Sequence, residues 1–250
     1  MKRAWYLGHR ADEVAPCAVL VGDPDRIDRI AALMDAPRML PVKRGLRTVT
    51  GGFDGVPVTA VSFGMGAPIA TVVMHELADL GTRAFMRIGT AMYFAPAMAG
   101  DFLLCEGIAS FEGTSASYVS APDAQTADPA LNAVVAARAS QAELPLRRGL
   151  FATFDAFYRD MFPLEPETGT RVAGRLGEAE RRGAIAADME TSALVNAAHA
   201  LGAGFTSLCI GTVDAHSRDK LDPETTTGRE GELFALALGA LTRQTQSEDA

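Results

Sequence analysis

The chain has 250 residues, 48% of them hydrophobic and 22% charged, which is enough to bury one sizeable core in a single domain. A formal net charge of −8 with no block of Lys or Arg argues against nucleic acid and anionic membrane surfaces as partners. Cys17, Cys105 and Cys209 lie far apart in apolar runs, as suits buried thiols in a reducing compartment. The segment Met1–Gly8 has no signal-peptide core and no later run reaches membrane-spanning length, so the expectation is a cytoplasmic protein.

Taken in order, Cys17–Val21 reads as a short strand, followed by Gly22-Asp23-Pro24-Asp25-Arg26 and an amphipathic run from Ile27 to Leu33. A strand, a Gly-containing loop and a helix start can cradle an anion, because backbone N–H groups at a helix N-terminus favour negative charge. Gly22 and Arg26 could both serve it, and a plain loop has the same pattern. No GxGxxG or Walker lysine motif is present. Past Arg44 and Arg47, an extended stretch turns at Asp54-Gly55 into Val58–Phe63, a hairpin pattern. Phe63-Gly64-Met65-Gly66-Ala67-Pro68 is a second Gly-rich turn before a helix over 69–80.

That helix leads into Ala84-Phe85-Met86-Arg87-Ile88-Gly89-Thr90, an apolar run that predicts a buried strand of a mostly parallel sheet, with Arg87 at its carboxyl end. Sites of open α/β sheets lie there. A guanidinium in an apolar layer needs an anionic partner, either a core carboxylate or a ligand. Further strands are expected over 102–108 and 150–154, with a helix from Pro129 to Gln141 capped by Asp128 between them. Phe154 to Tyr158 is an aromatic cluster in a loop. Ala184–Ala187 then enters Asp188-Met189-Glu190 and a helix over 191–201. Two carboxylates at a strand-to-helix junction need hydrogen-bond donors, and sugar hydroxyls or the helix N-terminus would supply them. Phe205–Val213 is the last strand, 214–228 a polar loop and Glu230–Leu241 the closing helix. The expected domain is 1–244, with 245–250 a flexible tail. His9, His75, His199 and His216 are scattered, and no metal-ligand spacing is present.

Taken together, the Gly22–Arg26 loop, Phe63–Gly66, Arg87-Ile88-Gly89-Thr90 and Asp188-Met189-Glu190 resemble the nucleoside phosphorylase family in order and spacing. The uridine phosphorylase branch is the most similar, through Arg26–Asp35 and Leu80–Arg83. The resemblance implies a single α/β domain, with a central mixed sheet flanked by helices in three layers, assembled as a homodimer or homohexamer. It implies no cofactor, with inorganic phosphate as co-substrate beside a nucleoside. It assigns phosphate binding to Gly22, Arg26, Arg87 and Thr90, and to Arg44 reaching across the dimer. Asp188, Met189 and Glu190 match the ribose-binding motif, with Tyr6 from the neighbouring subunit in the place of a histidine and His9 as the fallback. In the implied reaction phosphate attacks C1′ as the glycosidic bond breaks through an oxocarbenium-like state. Arg87 aligns the nucleophile and Glu190 fixes the sugar.

The base side departs from the branch pattern. Phe157 is kept, but Met161 and Pro163 stand where a Gln and an Arg read the uracil edge, Met92 replaces a glycine, and Ala215 falls near a second arginine position. Met92, Phe157, Met161 and Val213 are the expected base pocket. The purine branch has an acid close to Val213, which makes Asp214 a candidate general acid, with His216 a lesser one. The expected activity is therefore uridine phosphorylase-like with an atypical base pocket. A purine nucleoside phosphorylase using Asp214 and a non-catalytic nucleoside or sugar-phosphate binder are the alternatives.

Overall fold

The structure, a computed structural model, describes the backbone of residues 2–248 and the side chains of 2–243. Its strands and helices are β1 (Cys17–Val21), α1 (Arg26–Ala31), β2 (Asp35–Met39), β3 (Thr48–Phe53), β4 (Val56–Ser62), α2 (Ala67–Leu80), β5 (Ala84–Tyr93), β6 (Phe102–Phe111), α3 (Pro129–Gln141), β7 (Leu146–Phe154), α4 (Pro166–Arg181), β8 (Ala184–Asp188), α5 (Thr191–Leu201), β9 (Gly204–Asp214) and α6 (Pro223–Glu248).

The nine strands form one mixed sheet in the order β2-β3-β4-β1-β5-β8-β7-β6-β9, and β9 returns to pair with β5. The strands β5, β8, β7, β6 and β9 thus close into a ring, and β1 to β4 extend it as an open wing from β5. β1 runs parallel to both β4 and β5 and lies between them, so α2 is the crossover between two parallel strands two positions apart. The hairpin at Asp54-Gly55 is β3–β4, with Phe53 opposite Val56 and Asp54 at φ 50°.

Side chains alternate along the strands, as a period of two requires. On one face Leu20, Phe85, Val73 and Leu194 share a core beneath α2 and α5. On the other Val19, Met86, Ile27, Leu131 and Phe234 share a core beneath α1, α3 and α6. The arrangement is a single α/β domain in three layers. Asp128 caps α3 as its position suggests, accepting from the N–H groups of Ala130 and Leu131. Among the described residues no helix is long and apolar enough to cross a membrane.

The structure corrects several element boundaries. Arg87 is the fourth residue of a ten-residue strand, not its carboxyl end. β5 runs on to Tyr93 because its second half pairs with both β8 and β9. The sequence pattern gave no sign of β2, which is exposed throughout and bulged where it meets β3. Nor was α4 expected, although Pro166 opens it and Val172, Leu176 and Ala179 line its buried side. α6 starts at Pro223, shortening the polar loop after β9. Its backbone is helical through Glu248, and residues 249 and 250 of the expected tail, 245–250, lie outside the described ones.

Candidate active site

The site forms past the ends of β1 and β8 and beside the middle of β5. After Val21 the backbone of Gly22 runs against the second Gly-rich turn, with Phe63 N–H donating to Val21 O at 2.9 Å and Gly64 N–H to Gly22 O at 3.0 Å. A β-carbon on Gly22 would sit 2.8 Å from the Gly64 carbonyl oxygen, so only glycine allows this approach without a shift. The two turns, 41 residues apart in numbering, are thereby locked together.

Arg87 lies buried on the α2–α5 face of β5. Its Nε and Nη2 donate to Glu190 Oε2 at 3.1 and 2.5 Å, while Nη1 faces Asp188 Oδ2 at 3.2 Å and Cys209 Sγ at 2.7 Å. Burial works to lower its pKa, the Asp188 and Glu190 carboxylates work to raise it, and the net shift is upward. The guanidinium is therefore a permanent cation. Burial raises the Cys209 pKa despite the adjacent Arg87, which keeps it a neutral thiol.

Glu190 stands at the N-cap of α5, and its other oxygen accepts from Gly66 N–H at 2.7 Å. It therefore bridges the second Gly-rich turn and the strand arginine. Asp188 has its oxygens committed within the protein. Thr153 Oγ1 donates to Oδ1 at 2.8 Å, and the Thr191 hydroxyl donates to Oδ2, while Arg87 faces the same oxygen. Met189 is half-buried between these two acids.

Arg26 opens α1 and comes to the same place. A β-carbon added to Gly89 would lie 3.7 Å from Arg26 Nη1 and 3.7 Å from both Nη1 and Nη2 of Arg87. Two guanidinia thus converge over one glycine, beside half-buried Thr90. Each is charge-compensated by buried carboxylates, Arg87 by Asp188 and Glu190 and Arg26 by Glu230, so what the pair offers an oxyanion is a set of fixed N–H donors.

Other expected site residues fall elsewhere in the protomer. The Arg44 guanidinium stacks over the Tyr6 ring at 4.7 Å, and the Tyr6 and Leu7 N–H groups donate to the Glu76 carboxylate at 2.6 and 2.8 Å. His9 is a core histidine, buried with Nε2 2.9 Å from Thr48 Oγ1. His216 pairs with Glu180 at 3.2 Å. Asp214 Oδ1 accepts from the N–H groups of His216 and Ser217, both at 2.8 Å. Partial burial would raise its pKa, but those N–H groups hold the carboxyl below its usual range.

Met92, Phe157, Met161 and Val213 share one apolar cluster, together with Met189 and Ala215. Phe157 opens a single π-helical turn, Phe157–Met161, and stacks on Phe162 at 5.8 Å. The turn is pinned from α4, where Arg171 and Arg175 approach the buried Asp160 at 2.8 and 3.4 Å. Sequence reasoning missed this anchor with α4. It also missed Glu230, which takes Arg26, and the Gly66 N–H, whose role as a donor has no side-chain signature.

Residues 16–242 match the family model described as the phosphorylase superfamily. A uridine phosphorylase of Klebsiella aerogenes is 31% identical over 199 residues, 77% of this chain and 79% of that protein. One from Thermococcus kodakarensis is 30% identical over 155 residues, a match that spans 62% of this chain and only 56% of that protein. A guanosine phosphorylase of Halorubrum lacusprofundi is 34% identical over 151 residues, 59% of this chain and 62% of that one. Among solved structures, uridine phosphorylase from Vibrio fischeri, complexed with 6-hydroxy-1-naphthoic acid, shares the fold with a TM-score of 0.81 at 24% identity, over 96% of this chain and 94% of that one. With the family model spanning both Gly-rich turns, the Arg87 strand and the Asp188–Glu190 junction, the chain belongs to the nucleoside phosphorylase family of the phosphorylase superfamily and is an enzyme of the pentosyltransferase class.

Proposed function

We propose that the chain cleaves the N-glycosidic bond of a nucleoside with inorganic phosphate, giving free base and pentose 1-phosphate, in the manner of a uridine phosphorylase with an altered base pocket. The observation that carries this reading is the convergence of Arg26 and Arg87 over Gly89, with Glu190 bound to Arg87 from the side. Phosphate sits over Gly89 between the two guanidinia, with Thr90 and the Gly22 backbone beside it. Glu190 exchanges its apo partners for the ribose hydroxyls. Held next to C1′, the phosphate meets the developing oxocarbenium charge without a covalent enzyme intermediate. Asp188 acts as the brace that holds Arg87 and the start of α5, and Met189 packs against the sugar.

The base leaves into the cluster of Met92, Phe157, Met161 and Val213. A carboxyl held below its usual range is ionised at neutral pH and carries no proton to give, so Asp214 does not favour the purine reading. Arg44 and Tyr6 act across a dimer interface. Their stack is supported as a contact surface by its neighbours Trp5, 82% exposed, and Val42, 55% exposed. The three buried cysteines fit a cytoplasmic enzyme.

The test is chromatography of free base released from uridine, thymidine, inosine, guanosine and adenosine, each with and without phosphate. Phosphate-dependent release, strongest from a pyrimidine nucleoside, is the expected result. Release that ignores phosphate would make the enzyme a hydrolase. Calorimetric binding without any release would make it a binder.

A further inference from the structure

Each of the two converging arginines is gripped along one edge by a buried carboxylate, and the second of these carboxylates comes from the far end of the chain. Glu230 lies in α6, 204 residues from Arg26, and is 6% exposed. Its Oε1 accepts from Arg26 Nε at 2.8 Å and is 2.8 Å from Arg26 Nη2. The nitrogen that this grip leaves over is Nη1, the one directed at Gly89 beside Arg87. Oε2 of Glu230 is taken by Arg29, which also donates to the Thr227 carbonyl at 2.9 Å and stacks over Phe234 at 5.1 Å. Arg29 therefore fixes the carboxylate, and the carboxylate fixes Arg26.

This arrangement answers a physical difficulty. An arginine stem gives up rotamer freedom when ordered, and a guanidinium approaching another of like charge is pushed away from it. With no anion bound, Arg26 would swing to solvent unless something held it. A fork gripped on its Nε–Nη2 edge has one orientation left, with the remaining nitrogen aimed inward. We propose that Glu230 is a positioning residue for the anion site: it presets Arg26 toward Gly89 before phosphate arrives and couples that site to α6. The inference rests on reading the space over Gly89 as the phosphate site.

The test compares the wild type with Glu230→Gln and Glu230→Ala. Three quantities are read: binding of inorganic phosphate by calorimetry, separate KM values for phosphate and nucleoside, and the unfolding temperature. Loss of an outer partner that orients a ligand typically weakens binding about 10–100-fold, so Glu230→Ala should weaken phosphate about 10-fold and leave the nucleoside KM within about twofold. Glu230→Gln should fall between, because its amide oxygen can still accept from Arg26 while its NH2 faces the donors of Arg29. Wild-type phosphate affinity in both variants would overturn the role, as would a parallel loss in phosphate binding, nucleoside KM and unfolding temperature, which marks a purely structural residue. If the wild type itself binds no phosphate, the reading of the Gly89 site falls, and this inference falls with it.

Discussion

Arg87 and Glu190 are 103 residues apart and meet through two hydrogen bonds to one carboxylate oxygen, at 3.1 and 2.5 Å. Both side chains are buried, so each compensates a charge that would otherwise be stranded. On the proposed reading catalysis borrows from this pair, since a sugar would use the oxygen facing Arg87 and the one facing Gly66. Arg87→Ala removes the proposed phosphate donor and frees Glu190 at once. The expected loss in kcat/KM for phosphorolysis is about 10²–10³-fold, the scale of one preorganised oxyanion donor. Steady-state kinetics on folded protein, checked by circular dichroism, decide it, and unchanged kinetics would remove Arg87 from the site.

Asp188 gives a different signature from Glu190. Its oxygens face Thr153, Thr191 and Arg87, all inside the protein. Asp188→Asn turns one acceptor into a donor aimed at groups that themselves donate. The expected cost is about 2–4 kcal/mol of stability, or roughly 4–16 °C in Tm for a chain of this length. A rise in nucleoside KM with Tm unchanged would instead make Asp188 a direct sugar ligand.

Gly22 and Gly89 separate folding from function. At Gly89 the nearest atoms an added β-carbon meets belong to the two guanidinia, at an ordinary contact distance of 3.7 Å, in the space proposed for phosphate. Gly89→Ala should keep Tm within about 2 °C, as for a substitution free of strain, while raising the phosphate KM about tenfold or more. At Gly22 the added carbon meets a backbone oxygen at 2.8 Å, so Gly22→Ala should lower Tm and activity together by forcing the two turns apart. A Gly89→Ala enzyme with wild-type phosphate KM would empty that space of its assigned role.

The fold was legible where apolar runs and turn signals agreed. β1, α3 and α5 match the sequence pattern to within a residue, because buried five-residue strands and capped helices carry local signals. β2 was not legible because Asp35–Met39 is exposed and holds its place only by pairing with β3. α4 was overlooked because its mostly charged surface hides three apolar contacts spaced along one side. In the site, the sequence motifs put Gly22, Arg26, Arg87 and Glu190 into one list; in the folded chain Arg87 bonds Glu190, Arg26 comes to the same glycine, Gly89, and Gly22 packs against the Gly64 turn. Glu230 could not be found the same way. With the closing helix expected to begin at Glu230, that residue reads as a dipole-favoured surface acid of a first turn, and only the folded chain brings Arg26 and Arg29 to it.

His9 makes stability depend on pH. Burial lowers its pKa, so below the ordinary histidine value of about 6.5 the unfolded chain takes up a proton that the folded chain resists. Stability should therefore fall as pH drops from about 7 through 6.5 toward the lower folded-state value. His9→Gln keeps a polar partner for Thr48 and has no charge to acquire. Tm measured from pH 7.5 to 5.5 should fall less steeply for this variant, and parallel curves would assign the pH dependence to other groups.

Asp214 distinguishes the pyrimidine and purine readings. Its carboxylate accepts from two backbone N–H groups in a turn, which lowers its pKa. A folded-state pKa below the unfolded one stabilises the fold above the ordinary carboxylate range, a contribution lost as pH falls through the folded value. At neutral pH the group is thus ionised and has no proton to give. Asp214→Asn can still cap the same turn, since asparagine offers the same carbonyl oxygen to the N–H groups. Turnover of the preferred nucleoside should change by less than about tenfold, against the about 10²–10⁴-fold expected on losing a general acid. A loss on that larger scale, confined to inosine and guanosine, would mean that nucleoside binding raises the Asp214 pKa and that the enzyme is a purine phosphorylase.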